Sequence, residues 1–283
     1  IDDVKKLIVN ITLPAALFLA FARVTIEARY VLIAASVFSA CWLVWLLGRW
    51  LGPALKIRSA YFPSLITGFE AGMLGYAIYG AVYGAENLYK FGIVDLGQVL
   101  FVFFVLVPGL ARMSSGPVSF RTTLIGFLKT PVILAIVGGL LFNQLGLPAL
   151  FAASPLLNSI LEMLGLLGSM TTPLVALVIG YGLALEPGAL RGPIVTAGAR
   201  LLIWLALGIP FAVWVVGRML GLDTAFQAAV VTMALLPGPF VIPMFMPHAS
   251  EDEYAYVVNT LTVGTLVTLF AYALVPVFFP PVG

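Results

Sequence analysis

Residues 67–75 read Thr67-Gly68-Phe69-Glu70-Ala71-Gly72-Met73-Leu74-Gly75, three glycines and a carboxylate inside an apolar run that extends over roughly 61 to 83. A run of that length is what a helix needs to cross a bilayer, whose hydrocarbon core takes about 20 residues. An ionisable group near the middle of such a run costs on the order of 3 kcal/mol and turns toward a cavity or a partner rather than toward lipid. The glycines weaken the helix there and let other elements approach its backbone. The stretch therefore predicts a membrane helix interrupted at its centre, with Glu70 at the interruption.

The rest of the chain supplies the membrane setting. Of its 283 residues 62% are hydrophobic and 9% charged, with a mean hydropathy of +1.12. A water-soluble domain is about a quarter charged, because its surface has to be hydrated. Here the solvent for most of the surface is lipid, and apolar runs this long favour helices over the short alternating segments of a barrel. Nine runs read as spans, roughly 4 to 22, 30 to 50, 61 to 83, 91 to 111, 122 to 144, 156 to 185, 192 to 217, 224 to 247 and 252 to 280. The fold class is an all-α membrane protein.

Basic residues orient it. With alternating sides, Lys5, Lys6, Arg49, Lys56, Arg58, Arg112, Arg121, Lys129 and Arg191 fall together, against Arg23, Arg29, Lys90 and Arg218. The majority side is read as cytoplasmic, so the visible start is cytoplasmic and the C-terminus external, in a multi-pass protein of a plasma membrane, the bacterial inner membrane being the expected one.

Two echoes divide the chain. Gly48-Arg49-Trp50-Leu51-Gly52 returns as Gly217-Arg218-Met219-Leu220-Gly221, offset by 169 (217 minus 48), and Leu106-Val107-Pro108 returns as Leu274-Val275-Pro276, offset by 168 (274 minus 106). Corresponding spans lie five apart, so each crosses opposite to its partner, the pattern of an inverted-topology repeat. Residues 1–112 form the first unit and 113–283 the second. The second has five spans and the first four, which implies a ten-helix parent whose first helix is absent before Ile1.

At the same offset Phe69 faces Pro237, and Pro237-Gly238-Pro239, followed by Pro243, interrupts the eighth run by removing donors and crowding preceding carbonyls. Inverted-repeat transporters bind their cargo where two such broken helices meet. The candidate site is therefore Gly68, Phe69, Glu70, Ala71 and Gly72 with Pro237, Gly238 and Pro239, joined by Asn259 and Thr260 from a polar stripe in the last span that either lines the cavity or bonds neighbouring helices. Glu70 is expected to bind the coupling ion, a proton or sodium, or to select against anions. Arg200 is either an interface anchor that snorkels or an anion contact. Asp95 and Glu162 are read as hydrated span ends.

Other classes find little support. Cys41 is the single cysteine and His248 the single histidine, so one chain can build neither a disulfide, nor a thiolate metal site, nor a His-dependent triad. No phosphate-binding glycine loop is present. An enzyme, a metal site, an organic cofactor and nucleic acid are not expected, and the basic residues are scattered rather than clustered.

Taken in order, these residues resemble the auxin efflux carrier family of permeases, which includes plant carriers and bacterial permeases of dicarboxylates. The resemblance runs through Leu13-Pro14-Ala15-Ala16-Leu17-Phe18, Lys129-Thr130-Pro131, Gly138-Gly139, Leu147-Pro148, Pro173-Leu174, Gly180, Arg200-Leu201-Leu202, Pro237, Asp252 and Asn259-Thr260-Leu261. Where the family's first broken helix reads Asn-x-Gly-x-x-Gly-x-Pro, this chain has Glu70, Gly72, Gly75 and Ala77. The resemblance implies a secondary transporter of small organic anions, auxin-like or dicarboxylate, working as an elevator. Helices at about 4–22, 122–144 and 156–185 would be the scaffold, those at about 30–111 and 192–280 would move, and two copies would form a homodimer in membrane lipid. Alternatives are a sodium-coupled symporter like the related bile acid carriers, a channel, and a non-transporting sensor on the same fold.

Overall fold

A computed structural model of the chain describes residues 1–25, 27–114, 119–182, 185–186 and 189–281. Among these residues every regular element is helical. In chain order they are α1 (Asp2–Phe21), α2 (Ala28–Ala54), α3 (Phe62–Leu65), α4 (71–83), α5 (Ala85–Ser114), α6 (Phe120–Leu128), α7 (Pro131–Gln144), α8 (Leu147–Ala153), α9 (Pro155–Gly182), α10 (Arg191–Met219), α11 (Thr224–Leu235), the 3₁₀ turn α12 (Ile242–Phe245) and α13 (Glu251–Phe278). Six of them, α1, α2, α5, α9, α10 and α13, are long and apolar enough to cross a membrane, and α6 with α7, bent by 58°, makes a seventh if taken as one span. The expected third and eighth runs are not continuous helices: the first divides into α3 and α4, the second into α11 and α12.

Proline shapes two of the long helices. A proline cannot donate to the turn before it and its ring crowds a carbonyl there, so a wider turn relieves the clash. A π turn at Ile8–Thr12 comes just before Pro14 and another at Val102–Leu106 just before Pro108; the longer π stretch at Phe211–Met219 follows Pro210 and is not explained by that clash. The helices bend and continue.

Packing rests on small residues, as expected where lipid tails offer helices no hydrophobic reason to associate. Helix α2 lies on α5 with Gly97 against the Ala34 carbonyl, so close that a Cβ would sit 2.1 Å from that oxygen. Helix α1 lies between α7 and α9, where Gly139 meets the Phe18 carbonyl and Gly168 meets Ala16. Helix α10 packs on both α11 and α13, and α11 is buried almost throughout at the centre of the molecule. The outside carries large apolar side chains such as Trp50, Leu156, Leu166 and Phe270, each more than two-thirds exposed, which suits a lipid surface.

Candidate functional site

The two interruptions cross. The Glu70 amide donates to the Pro237 carbonyl at 3.1 Å, tying residues 66–70 to 236–240. Gly68 has φ +61°, and a Cβ there would stand 2.7 Å from Pro239 Cγ; a Cβ on Gly238 would stand 2.9 Å from the Leu65 carbonyl oxygen. Both glycines are needed for contact, and Gly68 also for its left-handed backbone. Gly264 of α13 closes on Pro237 in the same way, at 3.1 Å.

A broken helix leaves unsatisfied carbonyls at the C-terminal end of its first half and amides at the start of its second. Arg200 answers the first need for both helices at once. From α10 it donates through Nε to the Leu236 carbonyl at 2.9 Å, through Nη1 to Leu65 at 3.1 Å and through Nη2 to Gly68, while its guanidinium lies 4.9 Å from the centroid of the Phe69 ring. It is 4% exposed. The expectation of a snorkelling anchor is corrected: the side chain points inward because the ends of α3 and α11 lie there. As an anion contact, it has donors already engaged by three carbonyls. Trp204, one turn on, donates Nε1 to the Ile66 carbonyl at 2.8 Å and meets the Phe69 ring edge to face at 4.5 Å.

Glu70 answers the second need. One carboxylate oxygen accepts from the Met73 amide at 3.1 Å, capping α4, and the other accepts from the Phe240 amide at 2.8 Å, where the chain leaves the second break. A carboxylate favours a helix N-terminus because the macrodipole is positive there. The crossing therefore has a cationic pole at Arg200 and an anionic pole at Glu70. Among the described residues no salt bridge joins either to an opposite charge.

A third polar group lies behind the first break, and the sequence reading missed it. Gln98 of α5 holds Phe69 on both sides, its Oε1 accepting from the Phe69 amide and its Nε2 donating to the Phe69 carbonyl, each at 3.3 Å. The same Nε2 donates to Asp95 at 3.1 Å, and Tyr76 of α4 donates its hydroxyl to the other Asp95 oxygen at 2.9 Å. Asp95 is 3% exposed, so its reading as a hydrated span end is overturned. The available signal was the spacing: Asp95 and Gln98, three apart, share one face within the otherwise apolar run 91–111.

Ala71 and Gly72 open α4 beside Glu70, as expected. Asn259 and Thr260 are buried, yet their bonds lead elsewhere. Asn259 exchanges two hydrogen bonds with the Glu186 backbone, at 2.8 and 3.0 Å, and Thr260 donates to the Tyr256 carbonyl one turn back. From α13 the Thr268 hydroxyl reaches the crossing, donating to the Leu235 carbonyl at 2.6 Å.

A cavity of about 520 Å³ lies against the second half of the first broken helix. It is walled by α1, the start of α5, the middle of α9 and by Tyr76 and Gly80 of α4, so Tyr76 joins the cavity wall to Asp95 and through Gln98 to the first break. No family model matches the chain, and a comparison with curated proteins finds no similar sequence.

Proposed function

We propose that the chain is a secondary active transporter of small organic anions, of the kind built from two inverted five-helix units. The carrying observation is the crossing, where two broken helices meet, with a buried arginine on their carbonyl ends and a carboxylate on the amides beyond. Backbone groups freed by helix breaks in a membrane interior are tolerated where protein groups, a cavity or an ion satisfy them, and here Arg200 and Glu70 do so. The repeat is further supported by its glycines. Gly48 admits Pro63 of α3 within 2.8 Å of its notional Cβ, and Gly217 admits Gln227 near the start of α11 within 2.9 Å, so the first glycine of each echo packs on the first half of a broken helix; the second glycines differ, Gly52 meeting Phe62 and Gly221 meeting nothing within 4 Å.

In this reading the nine expected spans are the six long helices, the bent pair and the two broken ones. Helices α1, α6, α7 and α9 form the scaffold, and the crossing moves against them as an elevator, consistent with the resemblance to auxin efflux carriers. Two copies would pair in the bilayer. Glu70 is the group that takes the coupling ion: neutralising it weakens its hold on the Phe240 amide, a side-chain link from the first broken helix to the far side of the second. A sodium-coupled symporter differs only in the ion.

The test is uptake of labelled dicarboxylates and indole-3-acetate into proteoliposomes under imposed proton, sodium or voltage gradients, for the wild type and Glu70→Gln. Saturable uptake driven by one ion gradient and uncoupled from it in the variant is expected. Absence of flux under every gradient overturns the carrier reading in favour of a sensor, and unchanged coupling in Glu70→Gln overturns the role given to that residue.

A further inference from the structure

Asp95 is a buried carboxylate without a cation. It is 3% exposed, its partners Tyr76 and Gln98 are buried with it, and among the described residues it takes part in no salt bridge. The first break fixes the orientation of Gln98: its Oε1 accepts from the Phe69 amide, so Nε2 is the atom that faces both the Phe69 carbonyl and Asp95 Oδ1. Oδ1 is therefore an acceptor in either charge state. Oδ2 meets the Tyr76 hydroxyl at 2.9 Å, and a hydroxyl both donates and accepts. One set of heavy-atom positions thus serves two states. Ionised, Asp95 accepts from Gln98 and from Tyr76; protonated, it still accepts from Gln98 and donates from Oδ2 to the Tyr76 oxygen. A sodium ion would instead compete with two donors already aimed at the carboxylate. Few other ionisable groups surround it. Cys41 of α2 and Glu70 at the first break lie close enough to feel its charge, and Lys90, earlier on α5, is held by Asp223. The parts of α1 and α11 that pack on α5, Leu13–Phe21 and Thr224–Leu235, carry no ionisable side chain.

We infer that Asp95 is a second cation site of the carrier, specific for a proton, and that it signals its charge to the first broken helix through Gln98. Oδ2 takes a proton from water on one side of the membrane and returns it to water on the other, one O–H bond forming and then breaking. Gln98 Nε2 is shared between Asp95 at 3.1 Å and the Phe69 carbonyl at 3.3 Å. A carboxylate draws it more strongly than a neutral acid does, so protonation releases Gln98 toward Phe69 and tightens its hold on the break. Tyr76 lines the cavity against α4, so a single side chain separates Asp95 from that space. The inference rests on the carrier reading and adds a cation to its cycle. With both carboxylates ionised against the single guanidinium of Arg200, the crossing carries a net negative charge that opposes an anionic cargo. A proton on Asp95 together with an ion on Glu70 reverses that sign.

Protonation is read apart from flux, by infrared difference spectra of the purified protein in nanodiscs between acid and alkaline pH, in water and in heavy water. The carbonyl stretch of a protonated carboxyl absorbs clear of the amide bands and moves in heavy water. Asp95→Asn should remove one such band, and Glu70→Gln should leave it in place. The asparagine keeps an acceptor for Gln98 and offers an amide to Tyr76, the pattern of the protonated acid, so the variant should fold, and its melting temperature is the control. In Tyr76→Phe the band should persist to higher pH, because the ionised form loses a donor. A purely structural Asp95, fixed in one charge state, would give no such band to move. A difference spectrum unchanged in Asp95→Asn overturns the proton site. In proteoliposomes with the membrane potential clamped at zero, Asp95→Asn should accumulate the labelled anion roughly tenfold less for each unit of imposed pH gradient, since one proton leaves the cycle. Accumulation equal to wild type overturns its part in coupling. Absence of flux in the wild type with the Asp95 band present would instead sink the carrier reading and leave the proton site standing.

Discussion

The two poles of the crossing are built differently. At the cationic pole one side chain makes three hydrogen bonds to carbonyls from both broken helices, with Trp204 adding a fourth carbonyl and Thr268 a fifth. At the anionic pole one carboxylate makes two bonds to amides, and Glu70 is only partly buried where Arg200 is sealed. A guanidinium stays charged at any accessible pH, whereas a carboxylate can be neutralised by a proton or a sodium ion. The difference suggests a division of labour: the Arg200 pole fixes the geometry and the Glu70 pole changes state. Substitutions at the first should fall mainly on stability and those at the second mainly on coupling.

Arg200→Met is the strongest test. It leaves the Leu236, Leu65 and Gly68 carbonyls without donors in a site closed to water, at about 1–3 kcal/mol for each orphaned group. A large fall in melting temperature in detergent is expected, with partial recovery in Arg200→Lys, since an ammonium lacks the planar fork that spans three acceptors. Near-native melting of the methionine variant would mean that the carbonyls find other donors and that the pole is not structural.

Gly68→Ala comes next. The new Cβ would meet Pro239 Cγ at 2.7 Å, and the residue would have to hold φ +61°, a conformation that costs an L-residue about 1–2 kcal/mol. Destabilisation of about 2–3 kcal/mol is expected, read by chemical or thermal unfolding. Gly72→Ala is the control, because its Cβ finds nothing nearer than Glu70 Oε1 at 3.8 Å. If the two alanine variants melt alike, the close approach of the two breaks at Gly68 is wrong.

What was legible in the sequence, and what was not, follows the same physics. Hydropathy gave the long helices because lipid as solvent imposes a continuous apolar stretch, and the breaks showed because glycine and proline act on the backbone wherever they stand. Glu70 stood out for being charged among apolar neighbours. Arg200 stood out equally, but its sequence neighbourhood says only that it is inside a span; the carbonyls it serves lie 36, 132 and 135 positions away. Asp95 was misread because distance from a span's end was taken as depth, while α5 begins earlier than the apolar run does, at Ala85 rather than 91. Asn259 shows the opposite limit: a polar stripe on an apolar helix either lines a cavity or bonds its neighbours, sequence alone does not choose between them, and Asn259 bonds the backbone at Glu186.

The smallest effects fall on the outer donors of the cationic pole, and they bear most directly on whether its two halves are equivalent. Trp204→Phe keeps an aromatic edge on Phe69 but removes the donor to Ile66, and Thr268→Val keeps the shape but removes the donor to Leu235. Each side chain supplies one hydrogen bond at the C-terminal end of one broken helix, so each variant should lose about 1 kcal/mol, the usual net worth of such a bond. Because the two carbonyls belong to different helices, the double variant should lose close to the sum if Arg200 holds its own three bonds unaided. A deficit well beyond the sum would mean that Arg200 shifts when both neighbours are gone, and that the pole is one cooperative network spanning both units rather than two ends that share an arginine.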